Sequence, residues 1–182
     1  MQIEIRQLGT SDAVEYRDLR LRGLREVPEA FGSTYDEEVL FSLDTVETRL
    51  ESTRSPTGRV ILGAFADAVL VGIVGCAQES RFKKRHTAVI FGMYVAPEVR
   101  SHGIGRRLLN ESITEARTWP NVERMTITVV ERVRAARALY VSLGFEPFGR
   151  EVDALRENGV RDVMEYLALP LTSLRRSDPS AK

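Results

Sequence analysis

The residues best suited to chemistry lie in one run, Met93-Tyr94-Val95-Ala96-Pro97-Glu98-Val99-Arg100-Ser101-His102-Gly103-Ile104-Gly105-Arg106-Arg107. Its first residues read as the end of a strand that Pro97 bounds. From Ile104 the apolar residues Leu108, Ile113 and Ala116 recur at helical spacing. A helix N-terminus offers free N–H groups and the positive end of the helix dipole to an anion. Gly103 and Gly105 would let a phosphate approach the main chain with no Cβ in its way, and a pyrophosphate suits such a turn. The same glycines also serve a tight strand-to-helix turn that binds nothing, so R-x-x-G-x-G alone leaves both readings open. A dinucleotide fingerprint requires a further glycine where Leu108 stands, and a P-loop requires Gly-Lys-Ser/Thr where Gly105-Arg106-Arg107 stands. Neither pattern is met.

A second cluster, Ala136-Arg137-Ala138-Leu139-Tyr140-Val141-Ser142-Leu143-Gly144-Phe145, puts Tyr140 on the apolar face of a helix. A phenol with an ordinary pKa near 10 stays protonated at neutral pH and can donate to a departing thiolate. It can equally serve by packing its ring. Cys76 sits in an apolar run and reads as small core filling rather than as a nucleophile. Two histidines with no cysteine or carboxylate cluster at ligand spacing argue against a metal site. The basic run Arg81-Phe82-Lys83-Lys84-Arg85-His86 is short and falls in an expected hairpin loop, so it reads as solvated rather than as a nucleic-acid patch.

The elements that must position these groups follow from periodicity. Ile3, Ile5 and Leu8 alternate as a strand, and Thr10 to Asp12 supply capping side chains for a helix through Val14, Leu19 and Leu24. After a long polar and aromatic connection over residues 28–41, Ser42 caps a helix marked by Leu43, Val46 and Leu50. The turn signal Ser55-Pro56-Thr57-Gly58 precedes strands at 59–65 and 69–77, joined by a hairpin at Ala66-Asp67-Ala68. A strand at 87–95, the helix that Pro120 ends, a strand at 125–130 and the Tyr140 helix with Gly144 as its C-cap come next. Strands at 145–155 and 160–169 flank Glu157-Asn158-Gly159, whose Asn-Gly pair signals a hairpin. The tail from Thr172 is expected to be disordered. The fold class is thus α/β in the α+β sense: one domain over 1–170, a tail over 171–182, and a mixed, mostly antiparallel sheet of about seven strands with about four helices. The strand-helix-strand unit at 87–130 holds the one parallel pair, and a ligand is expected at such a junction.

With 182 residues, 43% of them apolar, the chain can bury one sizeable core. Lys plus Arg balances Asp plus Glu at 26 each, so no net field draws it toward nucleic acid or an anionic membrane. The alternating N-terminus lacks the apolar run of a secretory signal, and no stretch reaches the roughly 18 to 20 apolar residues of a membrane span. A single cysteine fits a reducing cytoplasm.

Three motifs in order, R-x-x-G-x-G after an M-Y-V-x-P strand end, A-x-x-L-Y-x-x-x-G-F, and the closing Arg161-Asp162-Val163-Met164, make the chain resemble the GNAT superfamily of acyl-CoA-dependent N-acyltransferases from Ile3 to Leu169. The resemblance implies transfer of an acetyl group from acetyl-CoA, with no metal, to a primary amine on a small molecule or peptide. It implies that the main chain of Met93, Tyr94 and Val95 binds the pantetheine arm and that Arg100, Ser101, His102, Gly103, Ile104, Gly105 and Arg106 wrap the pyrophosphate. Tyr140 matches the tyrosine that commonly protonates the leaving thiolate. Glu79 and His86 flank the loop between the third and fourth strands and are candidate bases, with a solvated loop as the alternative. The connection with Asp36-Glu37-Glu38 often shapes the acceptor pocket, and its acids fit either a cationic amine or a helix N-terminus. Family members often form homodimers. The family usually has asparagine seven residues before the tyrosine, where this chain has Val133, and that departure is the best support for the alternative of a CoA-binding or regulatory module without turnover.

Overall fold

The computed structural model describes residues 1–52, 58–157 and 159–171. The expected turn at Ser55-Pro56-Thr57, Asn158 of the last hairpin and the tail from Thr172 lie outside the described residues. The strands are β1 (Ile3–Gln7), β2 (Arg59–Ala66), β3 (Val69–Gln78), β4 (Thr87–Val95), β5 (Arg124–Val130), β6 (Glu146–Glu157) and β7 (Val160–Pro170). They form one sheet in the order β1-β2-β3-β4-β5-β7-β6. Every pairing is antiparallel except β4 with β5, the pair joined by a crossover helix as the sequence led us to expect.

Among the described residues five α-helices flank the sheet: α1 (Ala13–Glu26), α2 (Tyr35–Glu38), α3 (Leu43–Glu51), α4 (Ile104–Thr118) and α5 (Arg134–Ser142). Periodicity in the sequence predicts about four, with 28–41 as a connection. The extra element is a single turn, held by a capping box in which Thr34 accepts from the Glu37 amide and the Glu37 carboxylate accepts from the Thr34 amide at 2.8 Å. Ser42 caps α3, its hydroxyl accepting from the Thr45 amide at 3.2 Å. Residues 10–12 form a 3-10 turn rather than a simple cap. Asp12 there takes two bonds from Arg6, at 2.6 and 2.9 Å.

The central strands β2 and β3 are buried almost without interruption, because helices cover both faces. Tyr94 points to one face, where a Cβ at Gly23 of α1 would lie 2.9 Å from its ring. Val95 points to the other, where it closes on Gly72 and on Gly105 of α4. Leu8, Leu24, Leu50, Ile73, Leu108, Met125 and Leu167 are among the fully buried side chains of this core. The β2–β3 hairpin turns through Asp67 and Ala68 at φ of 46° and 70°. Asp67 offsets the conformation by accepting from the Gln2 amide at 2.9 Å and so ties the turn to β1.

Candidate active site

The site exists because β4 and β5 pair for only part of their length. Thr87, Ala88 and Val89 face Arg124, Met125 and Thr126, and beyond that point the two strands part. Between the diverging strands a cleft of about 420 Å³ opens, walled by residues 89–93 of β4 and 127–130 of β5. On one side α5 contributes Ala136 and Tyr140, with Val133 at its N-cap. On the other stand Arg20 of α1, Phe31, Glu38 of α2 and Arg49 of α3. The cleft therefore runs through the sheet and is open to two different sets of side chains.

In β4 the register against β3 slips: Gly75 faces Phe91 and Ile73 faces Tyr94, so Gly92 and Met93 together oppose Val74. This is a β-bulge, and Gly92 supports it with a φ of +62°, a conformation that costs little only without a Cβ. A bulge leaves backbone groups outside the ladder, and the bulged residues Gly92 and Met93 line the cleft. Met93 next to it is where three elements meet. Its sulfur accepts from the Tyr140 hydroxyl at 3.7 Å, and a Cβ at Gly105 would sit 3.0 Å from its methyl carbon and 3.2 Å from Leu139.

The turn that follows β4 is fastened by its own side chains. Arg100 donates Nε to the Val95 carbonyl at 3.0 Å, and His102 Nδ1 lies 3.2 Å and 2.9 Å from the Val99 and Arg100 carbonyls, so Nδ1 carries a proton. Ser101 and Gly103 take positive φ of 67° and 73°, and Gly103 is the N-cap of α4 with open space around its Cα. No side chain among the described residues caps α4, which leaves its first N–H groups for a ligand. Arg100, Ser101, His102, Gly103 and Arg106 are exposed on this turn, and Arg106 reaches α5 by donating to the Ser142 hydroxyl at 2.7 Å. Gly105 differs from Gly103: it is needed for the close packing of α4 on Met93 and α5. The Tyr94 side chain faces away from the cleft and donates to Glu26 at 2.5 Å.

Tyr140 is buried, in edge contact with Phe145 at 6.2 Å, and burial pushes its phenol above the ordinary value. Its helix is pinned to β7 by Arg137, which donates to Glu165 at 2.5 Å. The neighbouring Arg132 forks onto the buried Asp162 at 2.6 and 2.8 Å. Cys76 lies in the core with its thiol pushed up to about 12 by burial, which leaves no thiolate at neutral pH.

Glu79 and His86 stand elsewhere. The Glu79 amide donates to Thr87 at 2.9 Å, and the His86 carbonyl accepts from Glu123 and Arg124, so both lie at the closed end of the V and neither lines the cleft. The carboxylate that does line it is Glu38. Burial alone would raise the Glu38 carboxyl, but bonds from Arg20 at 2.8 and 3.0 Å outweigh it and hold the group below the ordinary carboxylate range. Sequence reasoning missed Arg20 and Arg49 as site residues, because nothing in their spacing shows that α1 and α3 converge on the bulge. The Thr34-x-x-Glu37 capping box was the available signal for α2 and for the placement of Glu38.

Residues 24–145 match the model of the acetyltransferase (GNAT) family. Among solved structures, an acetyltransferase of the GNAT family from Streptococcus pneumoniae is 24% identical and superposes with a TM-score of 0.84 over 93% of this chain and 99% of its own. A putative acetyltransferase from Salmonella typhimurium, solved with its cofactor acetyl-CoA, is 20% identical with a TM-score of 0.82 over 99% of each chain. A ribosomal-protein-alanine N-acetyltransferase from Brucella melitensis is 24% identical, with a TM-score of 0.79 over 92% of this chain and 99% of its own. At these identities the structural likeness speaks for the fold, and the matched family model extends over most of that fold, from the end of α1 to the start of β6. The chain belongs to the acetyltransferase (GNAT) family.

Proposed function

We propose that the chain transfers an acetyl group from acetyl-CoA to a primary amine on a small molecule or peptide, by direct attack of the amine on the thioester. The observation that carries this reading is the convergence at Met93 of the β4 bulge, the first turn of α4 and the Tyr140 hydroxyl. The pyrophosphate fits the exposed α4 turn with Arg100 and Arg106. The pantetheine arm would run between β4 and β5, and the thioester would end beside the bulge. Backbone N–H groups freed by the bulge would polarise its carbonyl. Tyr140 would protonate the departing sulfur. Its raised pKa keeps the proton in place until then.

The amine must arrive as the free base, which for an alkylamine near pKa 10.4 is roughly one molecule in a few thousand at pH 7. Arg20 holds the Glu38 carboxyl below its ordinary range and so makes it a weak base, and Glu79 and His86 lie outside the cleft, so in this reading the proton passes to solvent before attack. The single buried Cys76 fits a reducing cytoplasm. A second reading, a CoA-binding module without turnover, draws on Val133, which lines the cleft where the family usually has asparagine. Thiol release from acetyl-CoA over a panel of primary amines separates the two. Turnover of any amine supports the first reading, and acetyl-CoA binding without turnover of any supports the second.

A further inference from the structure

The acceptor side of the cleft holds charges that acetyl-CoA chemistry does not use. Arg20 lies over the Phe31 ring at 4.4 Å and spends Nε and Nη2 on the two oxygens of Glu38. Its remaining nitrogen, Nη1, is buried and has no hydrogen-bond partner among the described residues. A buried donor on a charged group is costly when left unpaired, more so than a neutral one. Nη1 is also the one heavy atom that a Cβ at Gly92 would meet, at 3.8 Å, so it faces the bulge.

Arg49 lines the same wall, stacked on Phe41 at 4.2 Å, with no ion pair among the described residues. Behind Phe91, another wall residue, Arg59 stacks at 5.5 Å with its Nε buried and likewise unpartnered among the described residues. Arg49 adds its charge to that of Arg20 in holding Glu38 ionised, so these three groups act together. Two guanidinium groups, Arg20 and Arg49, meet the one carboxylate of this wall, an excess of positive charge in a chain whose overall charge is balanced. Glu38 fixes the Arg20 plane and leaves the free edge turned toward the reaction centre.

Resting on the acetyl-transfer reading above, we infer that the acceptor is a small amine carrying a carboxylate, an α-amino acid or close analogue, whose carboxylate pairs with Arg20 Nη1 and Arg49. The short path from Nη1 to the bulge requires amine and carboxylate to be only a few bonds apart. A peptide N-terminus would put a neutral amide there, and a lysine side chain would put methylenes there, and each would leave the guanidinium unpaired. In the step itself the neutral amine nitrogen attacks the thioester carbon. The C–N bond forms, the C–S bond breaks with its electron pair on sulfur, sulfur takes a proton from Tyr140, nitrogen gives up its second proton to solvent, and solvent returns a proton to Tyr140. The products are an N-acetylamino acid and CoA thiol.

The test is kcat/KM, read by thiol release on the full chain, for common α-amino acids against their own carboxamides. A melting curve with acetyl-CoA is run alongside. The expected result is at least a tenfold preference for the acid, since a site built to pair a group rejects the analogue that lacks it. In R49Q that ratio should move toward 1. Turnover of the carboxamide or of a peptide N-terminus at an equal or higher rate, or of neither acid nor amide, overturns the inference. If acetyl-CoA itself fails to raise the melting temperature, the acetyl-transfer reading falls first and takes the acceptor with it.

Discussion

The hydroxyl of Tyr140, on α5, donates to the sulfur of Met93, in the β4 bulge, at 3.7 Å, so the one buried proton donor of α5 is aimed at the point where the strand leaves its ladder. Tyr140→Phe keeps the ring contact with Phe145 and removes only the proton. We expect kcat to fall by about 10²- to 10⁴-fold while acetyl-CoA affinity stays unchanged, checked by steady-state kinetics and calorimetry. Because burial raises the phenol pKa above its ordinary value near 10, no loss of rate from Tyr140 should appear below about pH 10.

Gly92→Ala isolates the bulge. A Cβ there meets only Arg20 Nη1 at 3.8 Å, so the cost is the strain of a φ of +62°, about 1–2 kcal/mol. Urea unfolding should report that loss, and acetyl transfer should drop further than stability does, since the bulge orients the carbonyl's donors.

Arg100→Ala removes an exposed guanidinium that is fastened to the Val95 carbonyl at the mouth of the α4 turn. The expected result is about a tenfold weaker binding of acetyl-CoA, and of free CoA to the same degree, with kcat at saturation little changed. An equal loss for dephosphorylated pantetheine, which brings no pyrophosphate, would contradict the assignment.

Acid stability follows from three paired carboxylates. Bonds from Arg6 hold Asp12, bonds from Arg132 hold Asp162, and bonds from Arg20, against the effect of burial, hold Glu38 below the ordinary range. The unfolded chain therefore takes up these protons at higher pH than the folded one. The stabilisation is complete above the unfolded values, about 4, and is lost as pH falls through and below them. Melting temperature should stay nearly flat from pH 7 to about 5 and then drop, and Asp162→Asn should lower the plateau and flatten the drop.

Amine ionisation gives a second pH signature. With the proton lost before attack, kcat/KM should rise about tenfold per pH unit up to the pKa of the acceptor. A rate that levels off near pH 6 to 7 instead would mean that a base within the protein takes the proton.

The fold was largely legible in the sequence. β4 is bounded by residues 87 and 95 in both the reading and the structure, and the parallel partner lies in the stretch that the crossover helix requires. Local signals carried this: alternation in the strands, Pro120 after α4, and Gly144 after α5. The α4 turn and Tyr140 were legible as motifs because the chemistry lies in residues close together in sequence. Of the acceptor wall only the connection bearing Glu38 was expected; Arg20 and Arg49 come from two other helices and meet it only through tertiary packing. The bulge at Gly92 was hidden for the same reason: a register slip against β3 leaves no mark in β4 alone.

Thermal unfolding of the purified chain with acetyl-CoA, free CoA, ATP or NADPH decides whether the α4 turn holds a pyrophosphate. At about a hundred times its dissociation constant a ligand adds roughly 2.7 kcal/mol, which for a domain of this size is roughly 5–10 °C. The expected result is a rise with acetyl-CoA and CoA and none of that size with ATP or NADPH. No rise at millimolar acetyl-CoA would mean that the α4 turn binds no pyrophosphate and that the chain is not an acetyltransferase.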